Sequence, residues 1–430
     1  MGDGATIVLL VAALPGLIVL GMWMWRRPVR LLAAYFAVLP FGSAIALPLP
    51  LPRSFSTLSS LLGLATGVAY IWHWIDQRPS LRIPSLSLPI WILYSALAVA
   101  SVAWSIRARV TVDNLLVLAS LVGLFTVVVV TPIAIEELKE LRAWIAAGGG
   151  ITGLYALALA ATGNMTTTGA GLPRFEITGA GGGEGGDPNI TAAALVMPIA
   201  IALWEGLNPQ RSRRSRFWFM AAAVLAGMAA LLTASRGGFL SLAIVALVTV
   251  VTHRRGAWSI FVIAVVVLPA ALLLPSTFQE RVDNTGSTGR TAIWRLAIES
   301  CPEYCQEGSG FGTFADVHET AFLSYEGATG TKIRYQAHSI WFESLIELGV
   351  AGFSLLLIAL GVTVRDLLRS PLDRRGGALA GLLGLLAANT FLSNLTFKYF
   401  WLGLTYAVLV VAADDRPAEV SGVLSRQIDR

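Results

Sequence analysis

The chain has 430 residues, of which 55% are hydrophobic and only 13% charged, against roughly 25% charged residues in an ordinary soluble domain. With a mean hydropathy of +0.70, this composition excludes a water-soluble globular protein, and it equally excludes disorder, which needs low hydrophobicity and high net charge. The formal charge of +5 does not point to nucleic acid, because the arginines form short clusters between apolar runs rather than one basic stripe.

A membrane helix needs about 20 apolar residues, and apolar stretches of that order recur along the whole chain. They run from about Ala5 to Trp25, Leu31 to Leu47, Thr57 to Ile75, Leu86 to Trp104, Leu115 to Ile135 and Trp144 to Thr162. After a Gly-rich break they resume from about Ile190 to Glu205, Phe217 to Thr233, Gly238 to Thr252 and Trp258 to Leu274. The last group runs from about Ile340 to Val364, Ala378 to Leu395 and Phe400 to Ala412. The segments around Pro40 and Pro48 are the least regular, because proline removes a backbone donor and bends a helix. Trp25, Arg26 and Arg27 follow the first run where a signal peptide would carry a small-residue cleavage site, so a retained span is expected there. The fold expected is an all-α polytopic membrane protein with about 12 transmembrane helices and an irregular start.

Short cytoplasmic loops carry excess Lys and Arg. Arg211, Arg213, Arg214 and Arg216 form the densest cluster, and Arg254 and Arg255, then Arg365, Arg369, Arg374 and Arg375, repeat the signal. With those turns in the cytoplasm, the turn at Ser235 and Arg236, the stretch Gly163 to Pro188 and the segment Pro275 to Ala337 face the opposite side, and the tail with Arg426 and Arg430 returns to the cytoplasm. Arg26, Arg27 and Arg30 would place the N-terminus outside by the same rule, which is why the start is read as irregular. The organisation expected is N-terminal membrane helices over 1–274, a large outer loop over 275–339, C-terminal membrane helices over 340–413 and a tail over 414–430.

Two segments outside the membrane are long. Gly163 to Pro188, with Gly179, Gly181, Gly182, Gly183, Gly185 and Gly186 nearly consecutive, is expected to be a mobile loop. In Pro275 to Ala337, Ile293, Trp294, Ala297 and Ile298 recur at helical spacing after Arg290, the pattern of an amphipathic helix at the membrane surface.

Chemistry is expected where this loop meets the helix ends. His338 lies where the loop turns back into a span, and imidazole is the side chain suited to taking a proton near neutral pH; a histidine solvated by headgroups is the competing reading. His253, in a basic turn, and His73, between Trp72 and Trp74, read as structural, and His318 in the outer loop is a weaker alternative. Arg236 follows Thr233-Ala234-Ser235 and precedes Gly237-Gly238 at a helix end. Charge at that depth marks a functional site, unless the side chain snorkels to lipid phosphate. Arg290 opens the outer helix and has the fork geometry to pair with phosphate, or it is a solvated surface arginine. Gly308 to Phe314 lacks the strand context and lysine of a P-loop and reads as a tight turn tucking Phe311 and Phe314 into the membrane surface. Cys301 and Cys305 face the oxidising side, but a straight helix would place their sulfurs poorly, so disulfide and free thiols both stand.

Taken together, Thr233-Ala234-Ser235-Arg236-Gly237-Gly238, Gly289-Arg290 with Trp294, Gly308 to Phe314, and His338-Ser339 followed by Glu347-Leu348-Gly349 resemble, in order and spacing, the O-antigen ligase and polymerase superfamily of lipopolysaccharide biosynthesis. The resemblance covers roughly the second half of the chain, and the usual His-Asn reads His338-Ser339 here. It implies a GT-C-like glycosyltransferase in the bacterial cell inner membrane, multi-pass, with its active site facing the periplasm. The donor implied is undecaprenyl-diphosphate-linked O-antigen, moved en bloc to a sugar hydroxyl of lipid A-core. No metal, nucleotide or other cofactor and no nucleic acid is implied; membrane lipids are the other partners. At matching positions Arg236 and Arg290 would hold the diphosphate and His338 would be the catalytic base, with inversion at the anomeric carbon.

A polymerase of the same fold, joining lipid-linked repeats, is the nearest alternative. A lipid-linked glycan transporter should instead show internal repeats, broken helix pairs and midplane charges, whereas the charges here collect at one face.

Overall fold

The computed structural model describes residues 21, 24–25, 27–41, 45, 56–167, 173–177, 186–253, 290–324, 334–393 and 395–413. The expected spans from Ala5 to Trp25 and Trp258 to Leu274 lie wholly or almost wholly outside these residues, as do Arg26, Arg254, Arg255 and the tail with Arg426 and Arg430. The described chain is almost entirely helical, with one two-stranded ladder pairing β1 (Thr166–Thr167) and β2 (Pro173–Arg174). In chain order the helices are α1 (Pro28–Val38), α2 (Leu58–Gln77), α3 (Ser87–Ala100), α4 (Ala108–Val129) and α5 (Ile135–Ala161). Next come α6 (Pro188–Leu207), α7 (Arg213–Leu232), α8 (Arg236–Thr252), α9 (Arg290–Glu299), α10 (Cys301–Tyr304) and α11 (Phe314–Ser324). The last three are α12 (Ile340–Arg369), α13 (Leu372–Asn389) and α14 (Lys398–Ala412).

Six of the described helices, α2, α4, α5, α6, α7 and α12, are long and apolar enough to cross a membrane, and α1, α3, α8 and α14 are shorter apolar helices. The perimeter agrees with a lipid surrounding: Leu64 on α2 is 67% exposed and Leu116 on α4 is 68% exposed, an inside-out pattern that water would not tolerate over so wide a surface. The chain is a multi-pass membrane protein.

Local signals set the helix ends, and they correct several expected boundaries. The run Leu31 to Leu47 shrinks to α1, which stops before Pro40. The run Leu115 to Ile135 is cut after Val129, and Ile135 instead opens α5, where Glu137 caps the Ala134 amide at 3.0 Å. In the Gly-rich stretch, residues 173–177 are pinned rather than mobile: Phe175 and Ile177 are buried, and the Phe175 amide donates to the Leu232 carbonyl at 2.9 Å.

The hub is α6. It is apolar on every side until Glu205, and such a helix is stable only when enclosed; nearly all of it is buried among α5, α7, α8, α13 and α14. Close approach depends on glycine. A Cβ at Gly149 would come within 2.6 Å of Pro198 on α6, and one at Gly153 would meet the Leu225 backbone of α7, so the small residues of α5 let three helices touch.

At the far end of α6 sits a buried ion cluster. Arg142 donates to Glu205 at 2.7 Å, to the Tyr406 hydroxyl at 3.0 Å and to the Arg374 carbonyl at 2.8 Å, while Arg211 takes the other Glu205 oxygen at 2.7 Å. The Arg142 guanidinium of α5 thus joins α6, α13 and α14, and Glu205 balances its charge. Breaking a buried pair leaves an uncompensated charge, so Glu205→Ala should lower stability by about 3–5 kcal/mol. An unchanged thermal midpoint in detergent would show that the cluster holds nothing together.

Candidate functional site

The opposite end of the bundle gathers the residues of interest. The turn between α7 and α8 is built around Ala234, whose φ of +48° is left-handed. Arg174, itself buried, donates to the Thr233 carbonyl at 2.7 Å and covers the exposed end of α7. Ser235 caps α8, accepting from the Gly238 amide at 3.1 Å and donating to Asn189 at 2.8 Å. Asn189 in turn donates to Asp187, the cap of α6, from its amide nitrogen at 2.7 Å. This chain of bonds fixes Arg236 as the first residue of α8, exposed at the mouth of the bundle. Glycine follows because a Cβ at Gly238 would sit 2.8 Å from Ala192 of α6.

Arg290 opens α9, as expected, with its guanidinium 5.9 Å from the centre of the Phe391 ring, within cation–π range. Burial lowers its pKa; Asp187 pulls the other way, and the positive charge of Arg236 lowers it further. An arginine stays charged through such shifts, so the fold holds two guanidiniums within electrostatic reach of each other. Among the described residues Arg290 forms no ion pair. The expected amphipathic stripe is confirmed for Ile293 and Ala297, which are buried, but Ile298 points outward at 61% exposure.

His338 is half-buried, with a left-handed φ of +47°, immediately before Ser339 begins α12. A bulky residue in that conformation is a local strain that the surroundings must hold. The holding group is Trp294 of α9, whose indole N–H donates to the Ala337 carbonyl at 2.9 Å. Its ring stacks on Phe342 at 5.6 Å and on Phe391 at 6.1 Å between ring centres. Phe391 therefore carries Arg290, touches Trp294 and lies beside Gly237. One aromatic stack brings the Arg236, Arg290 and His338 segments together.

Trp294→Phe keeps the stack and removes the N–H. It should lower kcat by about 10- to 100-fold, through loss of orientation, with little effect on donor KM. A normal kcat and pH profile in a folded variant would remove Trp294 from any positioning role.

The second feature is a clasp. Gly349, with φ +65°, kinks α12. The carbonyls of Ile346 and Glu347 beside the kink accept from the Ser309 and Gly310 amides, each at 2.9 Å, and the Glu347 carboxylate accepts from the Phe314 amide at 3.1 Å. Gly308, Gly310 and Gly312 all have positive φ, and a Cβ at Gly312 would collide with Asn114. The turn expected over Gly308 to Phe314 is thus present, with a correction: Phe311 and Phe314 are buried in the protein interior rather than in the membrane surface. Cys301 and Cys305 form a disulfide, because α10 is a single turn rather than part of a straight helix. His318 is buried against Phe322 and Tyr335, and the His253 ring packs on Trp204 at 4.4 Å.

Sequence reasoning missed Phe391, Arg174, Asp187 and Asn189. Asp187-Pro188 carries a helix-start signal that locates the cap of α6, but nothing near Phe391 marks it as the shared surface. Compared with known families, residues 221–357 match the model described as O-antigen ligase. The matched stretch contains Arg236, Arg290, Trp294, the clasp and His338. No curated protein gives a significant match to the chain.

Proposed function

We propose the following reaction for this chain, whose residues 221–357 match the family model described as O-antigen ligase. The protein moves O-antigen polysaccharide en bloc from undecaprenyl diphosphate to a sugar hydroxyl of lipid A-core, on the periplasmic side of the inner membrane. The acceptor hydroxyl oxygen attacks the anomeric carbon, the bond from that carbon to the diphosphate oxygen breaks, and its electron pair leaves with the diphosphate. His338 takes the hydroxyl proton. Arg236 and Arg290 neutralise the charge that grows on the leaving group, a task in which preorganised donors in a partly desolvated site are effective. A single displacement of this kind inverts the anomeric centre. The scheme needs no metal in any step.

The observation that carries this reading is the pair of guanidiniums within electrostatic reach of each other, on segments that converge at Phe391 beside the His338 turn. Holding two guanidiniums in each other's field is unfavourable in the empty protein and becomes favourable when a multiply charged anion lies between them. A polymerase of the same superfamily would use the same donor chemistry but a lipid-linked acceptor. The two are separated by expressing the chain in a strain lacking its own ligase and in one lacking its own polymerase. Full-length ladders on lipid A-core in the first strain, with single repeats persisting in the second, are expected. Restored polymerisation without ligation would overturn the ligase reading.

A further inference from the structure

Beside the first turns of α12 is a cavity of about 100 Å³ in which Asn114 of α4, Gln336, Glu343, Glu347, Ser393 and Thr396 share the wall with non-polar residues, Phe311 and Phe314 among them. Six of its eleven lining residues carry polar side chains, and with the phenylalanines they give the wall the mixture of polar groups and apolar surface that small-ligand sites show. Two of their hydrogen-bonding atoms are left over. Glu347 is already held by the backbone amides of Phe314 and Gly312, and Asn114 spends its amino group on the Val110 carbonyl. Glu343 and Ser393, the latter 7% exposed, face each other, and apart from that mutual contact Glu343 Oε2 and Ser393 Oγ have no partner. Buried polar groups in native proteins are normally satisfied, so such a set marks a place where something else binds.

The chemistry narrows what that is. No set of three His, Cys, Asp or Glu among the described residues could hold a metal ion. Carboxylate, amide and hydroxyl groups converging on one small space match the hydroxyls of a sugar. At about 100 Å³ the space is well below the roughly 300–1,000 Å³ that encloses a whole drug-sized ligand, so it admits part of a sugar and not a nucleotide. Position agrees: Gln336 is two residues before His338 and Glu343 five after it, so the base and the cavity share one backbone segment.

We infer that this cavity is a carbohydrate subsite that takes a hydroxyl-bearing edge of a reacting sugar, with Glu343 and Ser393 as its hydrogen-bonding groups. The inference rests on the glycosyl-transfer reading above. The sugar belongs either to the acceptor or to the first residue of the donor glycan, and kinetics distinguish them.

The test uses the full chain in proteoliposomes, with Glu343→Gln and Ser393→Ala, lipid-linked glycan as donor and lipid A-core as acceptor, each varied in turn. A hydrogen bond lost from a substrate site should raise KM by about 10-fold. A rise for the acceptor alone assigns the acceptor sugar, and a rise for the donor alone assigns the donor's first sugar. Unchanged KM values for both substrates, or a loss confined to kcat, would overturn the subsite. If Glu343→Gln fails to fold, Ser393→Ala, which removes one hydroxyl, decides the question. Wild-type protein that transfers nothing would defeat the parent reading, whereas active wild type with indifferent variants defeats the subsite alone.

Discussion

Alanine in place of His338 should lower the rate of glycan transfer by about 10²- to 10⁴-fold, the range a positioned general base contributes. The bundle should fold as before, because His338 is only half-buried and starts a helix whose stability comes from residues further along. The left-handed backbone supplies a second readout. A non-glycine residue at φ +47° is strained by about 1–2 kcal/mol, and glycine is free of that strain. His338→Gly should therefore be as inactive as His338→Ala yet up to about 1 kcal/mol more stable. Loss of activity together with a raised thermal midpoint would show that strain is kept at this position for the imidazole. Normal transfer by either variant would remove His338 from the reaction.

The second large effect belongs to Arg290. Both Arg290→Ala and Arg290→Lys should lower the rate by about 10²- to 10³-fold, the cost of losing a charge-stabilising donor. Lysine should rescue little, because an ammonium lacks the planar fork that binds phosphate through two bonds. Stability should not follow the rate. Burial and the charge of Arg236 both oppose the Arg290 charge, while Asp187 and the Phe391 ring favour it, so removing the guanidinium should change the stability of the empty protein little. An active Arg290→Lys enzyme would show a point charge to be sufficient. A sharp loss of stability in Arg290→Ala would recast the residue as structural. Arg236, exposed at the mouth, should behave likewise for rate, with a smaller change in stability.

Much of this was legible residue by residue. The apolar runs located most of the helices, and α6 announced its burial by being apolar on all sides. Arg236, Arg290 and His338 each stood out as a charged or titratable group at a helix end, and the amphipathic spacing after Arg290 anticipated α9. What stayed hidden were contacts between distant parts of the chain. Trp294 reaches Ala337 across 43 residues and Arg142 reaches Glu205 across 63, and no local pattern encodes such pairings. The glycines of Gly308 to Phe314 advertised a tight turn, but its partner, the kink at Gly349, becomes visible only when the freed carbonyls of α12 are followed to their donors. The cysteine pair was obscured for a related reason: spacing alone does not show that α10 ends after one turn. Where proline cut α1 and α4 short, the stop signals were in the sequence and the hydropathy of the flanking residues masked them.

The central claim is that Arg236, Arg290 and His338 act together in transferring a glycan from a lipid diphosphate. Its most direct test is reconstitution of the purified chain in proteoliposomes with undecaprenyl-diphosphate-linked O-antigen of defined length, lipid A-core and a strong chelator. The account predicts lipid A-core carrying the full-length glycan, with undecaprenyl diphosphate released and no product from His338→Ala. Lengthening of the lipid-linked glycan with lipid A-core omitted, or complete loss of transfer on adding the chelator, would contradict it.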